Sequence, residues 1–353
     1  MQAETEIISY ELEYYDRLIS LNEEFLDRFD TARYFSYRFI ENPHKENSRI
    51  VLAVEDNRIL GQVLMVGNEY FEKGVRHCGV WGMDLIVRPE SRGKKLGLKI
   101  TEESLATNGF WGFGVTPASR KLHQKMGFRF VGKFQKYLML RSILTPFTLL
   151  LSKGKVMDAY AFPDQIVTER LVFHRLQDPS DWDKEFWNSD LTEFSRSREF
   201  IKWRYFSGIG EYAVYSSQYL DRPLYYVLKT IAWKNHLLLV IMDYRCRLSD
   251  PAELGILISS WKEALRSGPF KGLITGSSAE VINTGLHRSG FLRLGDPSDI
   301  LTNMERNRQS SDPSHKVFVT MADSDFEFAY RESGHLDRRI IKALWRKLIG
   351  KRE

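Results

Sequence analysis

A strand that runs into a basic, glycine-containing turn and then into a helix is the feature that most narrows what this chain can be. Residues 85–98 read LIVRPESRGKKLGL. The run Leu85, Ile86 and Val87 suits a buried strand, and Pro89 ends its ladder by removing a donor. Leu98 and Ile100 then start a helical period. The first N–H groups of a helix lack intrahelical partners and carry a partial positive charge, which favours a phosphate there. Gly93 and Gly97 let the backbone approach an anion closely, and Arg92, Lys94 and Lys95 add countercharge.

The neighbouring residues extend this into a mixed sheet. Residues 50–66 read as a β-hairpin turning at Asp56 and Asn57. A third strand covers 76–87, a helix 97–107 and a further strand 110–115. A short helix over 117–126 has Pro117 in its first turn and stops at Gly127. Residues 128–140 read as a closing strand pair. The order ββ-β-loop-α-β-α-β belongs to an α/β fold.

Taken together, Arg92-Gly93-Lys94-Lys95-Leu96-Gly97 resembles the pyrophosphate loop of the GNAT (GCN5-related N-acetyltransferase) superfamily, Arg/Gln-x-x-Gly-x-Gly/Ala. Lys95 stands where the middle glycine is expected. Residues 116–128 resemble the family's second signature through Leu122, Gly127 and Phe128, with Thr116 at the asparagine position and Ser119 at the alanine. The resemblance is strong over about 50–140. It implies acyl-CoA as co-substrate, held by Leu85, Ile86, Val87, Arg92, Gly93, Lys94, Lys95, Leu96, Gly97 and Ser119, with no metal. It also implies direct attack of a primary amine on the thioester. Asp84 is then the candidate base, equally readable as a carboxylate at a bulge, and His77 a weaker one. His123, in place of the family's tyrosine, is the candidate acid for the leaving thiolate, equally readable as a histidine hydrogen-bonded near its helix end.

A second copy of the fold is expected downstream. Phe200–Tyr205 echoes Tyr34–Phe39, and Leu286–Phe291 echoes Leu122–Phe128. The expected organisation is a GNAT domain over 1–145, a linker over 146–165, a degenerate GNAT-like domain over 166–310 and a C-terminal strand and helix over 311–353. Each domain would carry a mixed, mostly antiparallel sheet flanked by helices, and 338–349 has the apolar spacing of a helix. In the second copy Asp250, Pro251 and Glu253 occupy the loop position, so two carboxylates would repel a pyrophosphate. That copy is expected to shape the acceptor side instead. Substrate-side candidates are Tyr37, Arg38, Trp81, Trp203, Arg204, Asp323 and Asp325. The aromatic–arginine pairs could stack a base and pair a phosphate or be ordinary amphipathic helix residues, and the aspartates could meet hydroxyls or form a solvated turn.

Composition removes other classes. With 51 Lys+Arg against 46 Asp+Glu, the net charge of +5 is small for 353 residues, which argues against a dedicated nucleic-acid binder. Only Cys78 and Cys246 occur, neither with metal-ligand spacing. The acidic start lacks a signal peptide's basic end, and no apolar run is long enough to span a bilayer, so a cytoplasmic protein without a membrane span is expected. The acceptor is expected to be a small polar amine, with a nucleotide-linked amino sugar suggested by similarity to bacterial tandem-GNAT sugar N-acyltransferases. Two other readings stand beside it, a Fem-like aminoacyltransferase using aminoacyl-tRNA and a non-catalytic CoA-binding module.

Overall fold

The computed structural model describes residues 4–26, 30–104, 106–107, 109–142, 145, 160–182, 185–233, 236–304 and 316–323. The expected C-terminal helix, residues 146–159 of the expected linker and Asp325 lie outside these. The chain forms two compact units that are not contiguous in sequence. Unit 1 comprises Met1–Lys133, Ser189–Ser195 and Ser298–Lys316, and unit 2 comprises Phe134–Asn188, Arg196–Pro297 and Val317–Glu353. The boundaries expected from sequence placed 189–195 and 298–310 with the second half, whereas in the structure both segments belong to unit 1.

Unit 1 is built on strands β1 (Glu6–Ser9), β2 (Arg49–Glu55), β3 (Arg58–Glu72), β4 (Val75–Val87) and β5 (Phe110–Phe113). Asp56 and Asn57 both adopt positive φ (48° and 63°), the mirror-image turn whose twist matches a hairpin. Lys73 (51°) and Gly74 (78°) repeat the device between β3 and β4. β1 to β4 pair antiparallel in order, and β4 pairs parallel with β5. Helices α1 (Tyr15–Phe25) and α2 (Thr31–Phe35), the latter continued by a π-helical turn over Ser36–Ile40, contribute to one apolar cluster with Leu52, Ile59 and Leu64. Helix α3 (Leu96–Ser104) contributes to the other, where Leu96 and Ile100 meet Phe110, Met126 and Phe128. Helix α4 (Pro117–Lys125) borders that second cluster through Leu122.

The sheet of unit 1 is completed by strands from far downstream. Of the second half's strands β9 (Thr192–Phe194) and β15 (Ser298–Thr302), β15 pairs antiparallel with β5, setting Leu301 against Gly112. β9 pairs with the end of β3, setting Phe194 against Tyr70. Asn303 accepts from the N–H of Phe110 at 2.9 Å and donates to the Thr107 carbonyl at 2.7 Å. The closing strand pair expected over 128–140 is one 12-residue strand, β6 (Arg129–Leu140). Gly132 has no positive φ, so nothing reverses the chain there.

In unit 2, β6 from Gln135 onward pairs with β13 (Gly272–Ser277), which pairs parallel with β12 (His236–Arg245). β11 (Arg222–Trp233), β10 (Tyr212–Tyr219) and β8 (Val172–Arg175) follow antiparallel. Helices α5 (Arg198–Phe206), α6 (Pro251–Ser267) and α7 (Glu280–Arg288) belong to this unit. A charge cluster lies in its interior. Arg196 bonds Asp243 (2.6 Å) and Asp323 (2.6 Å), and Arg245 bonds Asp243 (2.8 Å), all with fully or almost fully buried side chains. Tyr205 and Tyr225 donate to the same Asp243 carboxylate at 2.9 and 2.6 Å. Burial opposes its charge, yet the two guanidiniums hold the Asp243 carboxyl well below the usual carboxylate range.

Leu301 is fully buried in the core cluster of unit 1. Leu301→Ala is therefore expected to lower stability by about 2–5 kcal/mol, read as a fall in denaturation midpoint. A fragment ending near residue 145 lacks β9, β15 and Asn303, so it is expected to show no cooperative unfolding transition. A two-state transition from that fragment would contradict the strand exchange.

Candidate functional site

The site of unit 1 is made by a strand that changes partners along its length. β4 pairs with β3 throughout, but its parallel pairing with β5 ends at Gly82 opposite Gly112. Beyond that point β4 runs on through Met83 to Val87, so its β5-facing edge has backbone N–H and C=O groups without a strand partner in β5. The register shows a bulge in the same stretch. Gln62 faces Ile86 and Leu64 faces Met83, which leaves Asp84 and Leu85 opposite Val63 alone. Asp84 takes the left-handed conformation, φ 51°, that this bulge requires.

A buried amide pair braces the bulge. Asn22 of α1 and Gln62 of β3 exchange hydrogen bonds of 3.0 and 2.9 Å, and Gln62 also donates to the Asp84 carbonyl at 3.5 Å. Tyr34 of α2 donates to the Met83 sulfur at 3.6 Å, one residue before the bulge. Neither amide was anticipated from sequence. A polar pair 40 residues apart leaves no local pattern, so only the apolar setting of Gln62 within a strand-like run gives a signal.

After β4 the chain is pinned and then opened. Arg88 donates to the Ile59 carbonyl at 2.9 Å and pairs with Glu24 at 2.6 Å, so this cation belongs to the scaffold. A 3-10 turn over Pro89–Ser91 leads to Gly93 (φ 93°) and Lys95 (φ 60°). Among the described residues the N–H groups of Gly93, Lys95, Leu96 and Gly97 find no protein acceptor. Four open donors stand at this helix start, ringed by exposed Arg92, Lys94 and Lys95, a local chemistry that favours an anion. Lys95 does adopt the backbone region expected of the glycine it replaces, at a cost of about 1–2 kcal/mol. Gly97 faces Val87 and Leu122 at ordinary contact distances, which places the start of α3 beside α4.

His123 lies on α4 and is buried. Its Nδ1 is 2.7 Å from the Ser119 carbonyl and 3.1 Å from the Ser119 hydroxyl. A carbonyl only accepts, so Nδ1 carries the proton and Nε2 has none to give. Burial pushes the imidazole pKa down, against the weaker raising effect of the Ser119 hydrogen bond. The acid role that the resemblance implies is not supported by this resting geometry. Ser119, expected at the cofactor, is occupied with His123 through its hydroxyl and carbonyl, while Thr116 caps its N–H.

The substrate-side candidates divide. Trp81 is half-buried on β4, 4.4 Å from the Phe194 ring and 6.4 Å from Trp111. Tyr37 and Arg38 are buried in the π-helical turn after α2, with the guanidinium over the Tyr34 and Tyr37 rings. Trp203 and Arg204 are interior residues of unit 2, and Arg204 donates to the Ala322 carbonyl at 3.2 Å. Asp323 belongs to the buried charge cluster and accepts from Arg196 and from the Thr320 N–H. The expectation that Trp203, Arg204 and Asp323 face a ligand cleft thus meets interior side chains, Asp323 held by Arg196, Arg204 by the Ala322 carbonyl and Trp203 by packing on Phe200. His77 stacks on Tyr70 and sits 3.9 Å from Glu72.

The loop before α6 in unit 2 is closed by its own residues. Glu253 accepts from the N–H (2.7 Å) and Nε (3.0 Å) of Arg247, and Asp250 caps Ala252 at 3.0 Å. Asn188 accepts from the Leu248 N–H at 2.8 Å. Carboxylates therefore occupy this helix start.

No protein-family model and no curated protein matches the sequence. Solved structures do match. A GCN5-related N-acetyltransferase from Anabaena variabilis aligns over 85% of this chain and 72% of its own, with TM-score 0.58 and 12% identity. A probable N-acyltransferase from Enterococcus faecalis gives 0.57 over the same shares at 11% identity. N-myristoyltransferase from Saccharomyces cerevisiae, solved with bound myristoyl-CoA, gives 0.50 over 86% and 80% at 12% identity. The fold is GNAT-like. In this GNAT-like fold the described residues include no helix long and apolar enough to cross a membrane.

The His123 geometry has a pH consequence. The unfolded chain takes up a proton near the ordinary value of 6.5, whereas the folded imidazole resists it to lower pH. The neutral ring's contribution is complete above about pH 6.5 and is lost as pH falls below it. His123→Gln is expected to show a shallower fall in unfolding midpoint between about pH 7 and pH 5. An unchanged or steeper fall would mean that the ring is charged in the folded state.

Proposed function

We propose that this protein is an acyl-CoA-dependent N-acyltransferase that passes an acyl group directly to a primary amine of a small acceptor. The observation that carries this reading is the conjunction of an opened β4 edge with four unpartnered N–H groups at the start of α3. The edge suits the amide-rich pantetheine arm, and the cradle suits a pyrophosphate. A backbone N–H at the bulge is suited to polarise the thioester carbonyl, supplying fixed positive charge where negative charge develops. The acyl-transfer neighbours agree in fold.

In this reading the residues have distinct roles. Arg92, Lys94, Lys95 and the N–H groups of Gly93, Lys95, Leu96 and Gly97 hold the diphosphate. Leu85, Ile86 and Val87 line the pantetheine arm. Asp84 shapes the bulge, and its carboxylate is the candidate to receive a proton from the attacking amine. His123 is tied to Ser119 within α4 and packs on Phe110 and Phe128 rather than acting as the acid. The two units are read as two copies of one fold, since α4 and α7 end in the same cap. Phe128 N–H returns to the His123 carbonyl and Phe291 N–H to the Leu286 carbonyl, with Gly127 and Gly290 at positive φ. Only unit 1 would bind CoA. A nucleotide-linked amino sugar remains one acceptor of the right class, with no support from Trp203, Arg204 or Asp323.

Calorimetric titration with CoA tests the donor half. The parent is expected to bind, and Arg92→Glu with Lys94→Glu to bind at least about 100-fold more weakly, since several charge-assisted contacts reverse sign. Arg170→Glu and Lys202→Glu, exposed charges in unit 2, serve as controls expected to leave affinity unchanged. No heat from the parent would sink the reading.

Asp84 separates shape from chemistry. Asp84→Gly keeps the left-handed bulge, and is expected to stay within about tenfold of parental turnover if bulge geometry dominates, against about 10²–10⁴-fold for a lost base. Asp84→Val, whose branched side chain resists that φ, is expected to lower stability by about 1–3 kcal/mol.

A further inference from the structure

The wedge between β4 and β5 is closed at its apex by side chains. Phe110 lies across Gly82, with ring atoms 1.9, 2.4 and 2.8 Å from where a Cβ on Gly82 would stand. Gly82 is thus a strand glycine whose missing side chain is replaced by another residue's ring. Leu301 fills the matching place at Gly112, with Cδ1 2.8 Å from that ideal Cβ. Phe110 is buried and backed by Phe128 at 5.2 Å and His123 at 6.4 Å, so its ring is held on the far side as well. The residues before both glycines, Trp81 and Trp111, pack against each other and against Phe194. In a strand these side chains point to the opposite face from Phe110's position over Gly82. Both faces of the apex are therefore filled, by Phe110 and Leu301 on one and by the tryptophan pair on the other.

We propose that Phe110, lying across Gly82 at the apex of the wedge, restricts the acyl donor to a short chain, of the acetyl to butanoyl class. This rests on the acyl-CoA reading above and adds the donor's chain length to it. The thioester is placed at the bulge, and its acyl group extends toward the apex. At a strand rise of about 3.3 Å per residue, the two residues from Gly82 to Asp84 span about 7 Å. About 3.5–4 Å of this is van der Waals separation from the ring, which leaves room for roughly two or three carbons beyond the thioester carbon. A longer chain meets the Phe110 ring, which cannot swing away without opening a void among Phe128, Ile100 and Leu301. Phe110 acts as a specificity residue here, defining the end of the acyl subsite.

Titration of the intact protein with CoA, acetyl-CoA, butanoyl-CoA and octanoyl-CoA, each displaced by excess CoA, tests the proposal. The parent is expected to bind acetyl-CoA and butanoyl-CoA comparably, and octanoyl-CoA at least about tenfold more weakly, as a closed pocket discriminates an excess of methylenes. In Phe110→Ala the octanoyl-to-acetyl affinity ratio is expected to rise by about tenfold or more. Phe110→Leu, a smaller change to the core, is expected to move the ratio in the same direction and serves where the alanine variant fails to fold. CoA binding with octanoyl-CoA as tight as acetyl-CoA in the parent overturns the chain-length proposal and leaves the acyl-CoA reading standing. A ratio unmoved in both folded variants removes Phe110 from the role. Absence of binding by CoA and every thioester overturns both.

Discussion

The chemistry assigned to unit 1 depends on a strand losing one neighbour while keeping the other. β4 stays paired with β3 for its whole length, so it cannot drift, yet after Gly82 it has no contact with β5 in register. Unpaired strand edges in a sheet interior are costly because backbone polar groups lose partners. A ligand rich in amides can supply those partners. The bulge at Asp84 and Leu85 adds the local twist that keeps the gap open, and the buried Asn22–Gln62 exchange fixes that twist from behind. The basic loop, the left-handed Lys95 and the placement of α3 follow from where β4 is forced to end.

Much of this was legible in the sequence because the determinants are local. Asp56–Asn57, Pro89 and Gly127 each act through backbone conformation within a few residues, and the turn, the strand end and the helix stop lie where their chemistry predicts. Lys95, standing where the resemblance expects a glycine, takes the left-handed conformation that a glycine adopts readily. What escaped was non-local. Nothing near residue 110 announces that its strand partner is Leu301, or that Phe194 covers Tyr70. Trp203, Arg204 and Asp323 were credible ligand residues by type, since burial and charge neutralisation by Arg196, Asp243 and Arg245 are properties of the assembled unit. His123 shows the same limit, because its position in a signature does not reveal that its Nδ1–H is already donated to the Ser119 carbonyl.

The buried cluster of unit 2 raises a question of specificity rather than of strength. Burying a guanidinium and a carboxylate costs several kcal/mol per ion before their attraction is counted, so such clusters contribute little net stability. Their geometry, however, is hard to satisfy in any other arrangement. Asp243 serves two arginines, two tyrosines and Thr320 at once. That fixes β12, α5 and the turn at Met321–Asp323 in one mutual arrangement. Unit 2 has a rigid interior and a helix start plugged by Glu253 and Asp250.

The exchange of β15 into unit 1 has a consequence for biosynthesis. The last of the sheet's first five strands ends at Phe113, but the strand that covers its open edge is not made until residue 302. At translation speeds of roughly 5–20 residues per second, nearly two hundred further residues take about 10–40 s to emerge. Throughout that interval the nascent chain presents an uncovered β5 edge, a tryptophan and a phenylalanine without their final neighbours, and an incomplete aromatic cluster around Tyr70. Such an edge pairs readily with other chains. Chaperone occupancy on the ribosome, and slow release from it, would therefore govern the yield of active protein more than its equilibrium stability does.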